Sequence, residues 1–230
     1  MTLILGIDDA GRGPVIGPMI LAGVLLTKEQ EKTIKRAGAA DSKLLFHSQR
    51  IKISKIIKQN SLSNKVIKVF PEEIDKTLKS ANTNLNKLEA QKSAQIINAL
   101  NKGKNSKERI QVIIDCPSVN TNAWKNLLTK YITNISNLTI ICEHKADFKY
   151  ASVSAASILA KVAREEEMDK IREEYKEYGN VGSGYPSDTV TQSFLKDNGL
   201  KLHNRGIFRK TWSTYKNLFP DKKQAKLFDF

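Results

Sequence analysis

Cysteine is nearly absent from this chain: Cys116 and Cys142 are the only two in 230 residues. Two cysteines cannot build a disulfide framework, and their neighbours offer no thiolate metal site. Buried, reduced side chains near two strand ends are the expectation. Long apolar runs are missing too, since none approaches the roughly 20 residues that span a bilayer. The opening stretch Met1–Asp9 has no charged leader and no small-residue cleavage site, so no secretory signal is expected. These absences point to a cytoplasmic protein that makes no membrane contact. No internal repeat is visible, no linker marks a firm domain boundary, and nothing signals oligomerisation, so a monomer is expected.

Negative charge is also in short supply. Lys and Arg number 38 against 24 Asp and Glu, a net charge of +14. Such an excess suits a polyanionic partner, of which nucleic acid is the commonest, although a solvated lysine-rich surface would give the same total. What is present in quantity is apolar: 40% of the residues are hydrophobic, enough for a globular core in a chain of this length.

The pattern along the chain predicts an α/β fold with a mixed sheet. Strands are expected at Leu3–Asp8, Met19–Leu26, Lys65–Phe70, Ile110–Asp115 and Leu138–Glu143. The first two are joined by a short Gly/Pro-rich turn, which predicts an antiparallel hairpin. The last two flank the helical pattern Ala123–Tyr131, which predicts a parallel pair with a right-handed crossover. Other helices are expected at Lys28–Ala37, from a Ser48 N-cap towards Gln59, from Pro71, and at Leu85–Leu100, Ser152–Tyr178 and Asp188–Lys196. Asn101–Lys107 reads as a surface turn. The region after about Gly179 reads as a helical appendage.

Three of these strands end in acid. Asp8 and Asp9 close the first, Asp115 closes the fourth, and Asp147 lies just past the fifth. A single strand-end Asp commonly caps a turn. Acids at three strand ends instead suggest carboxylates converging at one edge of a sheet, where α/β proteins place their sites. Such a cluster is self-repelling, and a hard divalent cation, Mg²⁺ or Mn²⁺, resolves the conflict. Two ions about 4 Å apart can activate water and stabilise a leaving oxygen in phosphodiester hydrolysis.

Gly11, Arg12 and Gly13 follow the first acids at once. Their glycines permit close backbone approach to a phosphate or hydroxyl. Lys43, in Asp41-Ser42-Lys43, offers a point charge for phosphate. Tyr185, in Gly182-Ser183-Gly184-Tyr185-Pro186, either presents its ring to a sugar or base or packs on the surface.

Taken together, these segments resemble ribonuclease HII, the type 2 ribonuclease H, in its archaeal form. Gly6–Pro14 is similar to the family's opening GIDEAGRGP, Asp41–Lys43 to its DSK, and Glu143–Asp147 to its EHKAD. Val153–Lys161 is similar to VSAASIxAK and Gly182–Asp188 to GSGYPSD, and the ordered matches run to about Trp212.

The resemblance implies a ribonuclease H-like fold: a central five-stranded mixed sheet flanked by helices, with a helical C-terminal region. A catalytic domain over 1–178, a substrate-binding helical region over 179–221 and a tail over 222–230 are expected. The implied substrates are RNA/DNA hybrids and DNA duplexes containing ribonucleotides, cut on the 5′ side of the ribonucleotide to leave a 3′-hydroxyl and a 5′-phosphate. Asp8, Asp9, Asp115 and Asp147 are implied as ligands of two ions. Gly11, Arg12 and Gly13 would sense the 2′-hydroxyl, and Tyr185 would stack on the next sugar. Lys145, Lys161 and Arg164 are candidates for phosphate contacts, with a solvated helix face as the alternative for the last two. His144 is expected to be structural or to support the metal-binding acids from behind.

One departure stands out: the family's second acid is usually Glu, and here it is Asp9. One methylene is lost, a displacement of roughly 1 Å, and such shifts can cost about 10²-fold in rate. A non-catalytic hybrid-binding protein with a weakened site is the competing reading. Another nuclease or integrase of the superfamily is a third; it would cut all-DNA duplexes or cruciforms. The tail, with Gln224, Leu227 and Phe230 as anchors, resembles the peptide that docks DNA-processing enzymes on the sliding clamp, the alternative being an apolar tail folded back on its own domain.

Overall fold

Five strands form one mixed sheet in the computed structural model, which describes residues 2–39, 45–104 and 108–220. The strands are β1 (Thr2–Ala10), β2 (Met19–Leu26), β3 (Ser63–Val69), β4 (Arg109–Asp115) and β5 (Leu138–Glu143), in the order β3-β2-β1-β4-β5. The expected hairpin is there: β1 and β2 are antiparallel, from Ile4 opposite Leu26 to Ala10 opposite Ile20. β4 runs parallel to both β1 and β5. The carboxyl ends of β1, β4 and β5 therefore lie along one edge of the sheet.

Chain contacts divide the molecule into two units. The first, residues 1–10, 20–68 and 84–164, holds the sheet with α1 (Lys28–Arg36), α2 (His47–Asn60), α4 (Leu85–Asn101), α5 (Thr121–Thr129) and α6 (Ala146–Lys149). The two-residue period of β2 separates its faces. Ile20, Ala22, Val24 and Leu26 pack with Ile34, Ile53 and Ile57 and with Ala155–Ala163 of α7 (Ala151–Glu174). On the other face, a side chain at Gly23 would collide with Ile96 of α4, so that glycine admits the helix. The second unit, residues 11–19, 69–83 and 165–230, contains α3 (Pro71–Lys79), the end of α7, α8 (Thr189–Asn198) and α9 (Ser213–Leu218). Its core is aromatic: Phe208 lies 6.5 Å from Phe194 and 5.6 Å from Tyr215, ring centre to ring centre.

Pro71 opens α3 as expected, because its missing N–H has no partner in a first turn anyway. Three expectations need correction. α2 is capped at Phe46 rather than Ser48: the Gln49 side chain accepts a 2.8 Å bond from the Phe46 amide, which leaves Ser48 inside the first turn. The long helix stops at Glu174, and a 3-10 turn over Lys176–Tyr178 leads to Gly179 at φ 105°. Asn101 is no surface residue but the buried end of α4, paired through its side-chain amide with Asn137 at 2.9 Å. Each amide then meets the other's hydrogen-bonding need away from water. Both cysteines are free; Cys116 is buried, whereas Cys142 is only half-buried. No helix among the described residues is long and apolar enough to cross a membrane.

Candidate active site

Asp8 near the end of β1, Asp115 at the end of β4 and Asp147 in the first turn of α6 meet in the first unit. Each offers a carboxylate oxygen within 4.8 Å of the others. Asp8 is 6% and Asp147 4% exposed, while Asp115 is half-buried. The parallel register brings the β1 and β4 acids to the same edge. Asp147 arrives by a different route: Asp115 Oδ1 accepts a 3.1 Å bond from the Ala146 amide, which ties the α6 turn to β4. Lys145 begins that turn in the left-handed region at φ 57°, an uncommon conformation for a residue with a side chain. Glu143, at the end of β5, stays outside the cluster, bound instead to Lys149 at 2.7 Å and Tyr150 at 3.2 Å.

Burial pushes the Asp8 carboxyl well above the usual carboxylate range, and the charges of Asp9 and Asp115 push it further. The Ser157 hydroxyl and the Asp9 amide, which donates a 2.8 Å bond to Asp8 Oδ1, pull it back only in part. Three mutually close, largely buried carboxylates with no nitrogen or sulfur donor among them fit a hard divalent cation.

Asp9 is not in this close group. It lines a small recess together with Asp8, Asp115, Glu89, Ser93 and Trp124, and its charge still acts on Asp8. Glu89 was not anticipated. It is a buried acid on α4, and its helical setting reads in sequence as one more solvent-facing charge. The exposed His144 keeps its ring on the Cys116 carbonyl, 3.2 Å away, apart from the acids. Lys145 is exposed and Lys161 half-buried. Arg164, only 7% exposed, corrects the solvated-face alternative and is poorly placed for an open phosphate contact. Lys43 and the tail residues Gln224, Leu227 and Phe230 lie outside the described residues.

The second unit carries Gly11–Gly13 and Tyr185. Gly11 has φ 78°, and a Cβ on Gly13 would sit 3.9 Å from the Tyr185 ring. The Tyr185 loop owes its shape to the residues around it. Gly182 and Gly184 take φ of 73° and 83°, and Asp188 Oδ2 accepts 2.7 Å bonds from both the amide and the hydroxyl of Ser183. Thr191 Oγ1 accepts from the Gly184 amide at 2.9 Å and donates to Val181 O at 3.0 Å. The Gly184 carbonyl in turn accepts from the Val15 amide at 2.8 Å, which joins this loop to the segment after Gly13. Tyr185 itself is 39% exposed.

Arg209 and Trp212 were also missed. The Arg209 guanidinium donates to the carbonyls of Gly11 at 2.6 Å, Arg12 at 2.8 Å and Gly17 at 3.0 Å. Trp212 Nε1 donates to the Gly13 carbonyl at 3.0 Å. Their only sequence signal is an arginine set directly behind the apolar pair Ile207-Phe208, far along the chain from its partners.

The chain is similar to known proteins over nearly its whole length. The ribonuclease HII family model matches residues 5–215. Ribonuclease HII of Methanococcus maripaludis strain C6 is 40% identical over 99% of this chain and 92% of its own. The crystal structure of ribonuclease H2 from Pyrococcus horikoshii OT3 superposes with TM-score 0.81 at 33% identity, covering 94% of this chain and 96% of that one. The PCNA:RNase HII complex from Archaeoglobus fulgidus gives 0.77 at 34% identity, covering 92% and 95%. On the extent of these matches, the chain belongs to the ribonuclease HII family.

Proposed function

We propose that this protein is a divalent-metal-dependent endonuclease that hydrolyses the RNA strand of RNA/DNA hybrids and cuts on the 5′ side of single ribonucleotides in duplex DNA. The convergence of Asp8, Asp115 and Asp147 at one sheet edge carries the reading. With Asp9 as a further, more distant carboxylate, these side chains would hold Mg²⁺ or Mn²⁺, two ions during catalysis. The ions would supply an activated water and charge stabilisation at the phosphate, leaving a 3′-hydroxyl and a 5′-phosphate. The chain's own work is to fix the carboxylates before substrate arrives. Asp115 does this for the Asp147 turn by accepting the Ala146 amide.

Gly11–Gly13 would read the 2′-hydroxyl, and Tyr185 would meet the neighbouring deoxyribose. Residues 179–221 would add to duplex binding, with Lys43 and the exposed Lys145 meeting phosphates. The tail anchors Gln224, Leu227 and Phe230 would dock the enzyme on a sliding clamp, as suits replication and ribonucleotide excision; an Archaeoglobus relative is solved with PCNA. The test is hydrolysis of a labelled RNA/DNA hybrid with Mg²⁺, with Mn²⁺ and with EDTA, beside an Asp115→Asn control. Metal-dependent cleavage absent from the variant supports the proposal; binding without cleavage under either metal supports the non-catalytic alternative.

A further inference from the structure

We infer that Arg209 and Trp212 are positioning residues for ribonucleotide recognition, holding consecutive peptide groups of the Gly11–Gly13 loop in one orientation. The inference rests on the proposed reading of that loop as the 2′-hydroxyl sensor. Its physical basis is the geometry of the peptide group. A planar trans peptide sets the carbonyl of one residue and the N–H of the next on opposite sides, and no described peptide here is cis. Arg209 holds the Gly11 and Arg12 carbonyls, and Trp212 holds the Gly13 carbonyl. Fixing the first two carbonyls orients the N–H groups of Arg12 and Gly13 to the opposite side. The third peptide adds no donor, because the next residue is Pro14. Two successive oriented amides make a small receiver for a hydroxyl or anionic oxygen.

The anchor is stiff. Arg209 is 0% exposed, and its charge is met by three carbonyls and by the Trp212 ring, whose centre lies 4.9 Å from the guanidinium carbon. Its backbone is fixed as well: the Arg209 amide donates to Val15 O at 2.8 Å, and Ile207 O accepts from the Gly17 amide at 2.9 Å. Beyond it, the buried Asp75 carboxylate accepts from the amides of Lys210 at 2.8 Å and Thr211 at 3.0 Å and from the Thr211 hydroxyl at 2.6 Å. A positive guanidinium bound to these carbonyls also polarises the peptides, which strengthens their N–H groups as donors. Lysine could not replace it, since a single ammonium lacks the planar fork that reaches three carbonyls.

The experiment compares wild type, Trp212→Phe and Arg209→Lys. Trp212→Phe leaves an aromatic ring, smaller than the indole, beside Arg209 and removes the Nε1 donor. Affinity is measured by fluorescence anisotropy, with Ca²⁺ in place of Mg²⁺ so that binding can be followed without turnover, on a duplex with one ribonucleotide and on its all-DNA counterpart. Thermal unfolding runs in parallel. The expected result is a ribonucleotide preference reduced about tenfold in each variant, the scale of one lost hydrogen bond. All-DNA affinity should be unchanged, and Trp212→Phe should unfold close to the wild-type temperature. A merely structural role would lower both affinities together. A wild-type preference kept intact in Trp212→Phe and in folded Arg209→Lys overturns this inference alone. A wild type with no preference overturns the reading of the loop and this inference with it.

Discussion

Gly6 and Ser152 approach so closely that a Cβ on Gly6 would overlap the Ser152 carbonyl group. The contact seats the small-residue start of α7 directly on β1, two residues before Asp8. Gly6→Ala should therefore cost about 3 kcal/mol, the upper range for overpacking, because backbone rather than a flexible side chain must yield. Thermal unfolding reads this out, and a variant as stable as wild type would show that β1 and α7 part easily.

Divalent cation should stabilise the folded chain through Asp8, Asp115 and Asp147. At a concentration 100 times its Kd, Mn²⁺ should add about 2.7 kcal/mol. Asp115→Asn should abolish most of that gain yet fold, since the Asn oxygen can still accept from the Ala146 amide. Melting curves with and without Mn²⁺ decide the point.

Lengthening Asp9 restores the family's usual reach. Asp9→Glu is expected to hold or raise the cleavage rate, by up to about 10²-fold, and to shift the balance between Mg²⁺ and Mn²⁺. Asp9→Ala should lower it. Should neither change matter, Asp9 is no ligand and its role is confined to raising the Asp8 carboxyl.

The Tyr185 loop should respond to acid. Bonds from the Ser183 amide and hydroxyl, ahead of those from Val190 and Thr191, hold Asp188 down at about 2. A lowered carboxyl contributes stability above its unfolded value, lost as pH falls through the folded one. The loop should stay ordered at pH 4 and loosen towards pH 2, with Asp188→Asn removing that dependence. Asp8 has the opposite sign: its raised carboxyl favours the metal-free fold at low pH, and that contribution fades as pH rises through the folded value. Hydrogen exchange over Gly182–Tyr185 follows the first effect.

Deleting Gln224–Phe230 should abolish sliding-clamp binding and leave cleavage of free substrate intact. Pull-down with the clamp and a parallel nuclease assay separate the two, and undiminished clamp binding would place docking elsewhere.

What the chain's pattern reveals follows from the range of each interaction. β2 was legible to the residue because a strand pressed between layers is apolar along its length, and the edge strand β5 because of its apolar centre Ile140-Ile141. Asp8 and Asp115 were legible because they end such runs. Asp147 belongs to a four-residue helix whose placement depends on a bond from Ala146 to Asp115, which spacing alone cannot show. Glu89 was invisible because a buried acid on a helix has the same local pattern as an exposed one. Arg209 was invisible because its partners lie nearly 200 positions away, and only the folded chain brings Gly11 within 2.6 Å of it.

The central claim is tested most directly by mapping the ends produced from a DNA duplex containing one ribonucleotide, with Mg²⁺ or Mn²⁺. The account predicts a cut on the 5′ side of the ribonucleotide, leaving a 3′-hydroxyl and a 5′-phosphate, lost with EDTA and in Asp115→Asn. Equal cutting of an all-DNA duplex, or cleavage that survives both controls, would contradict it.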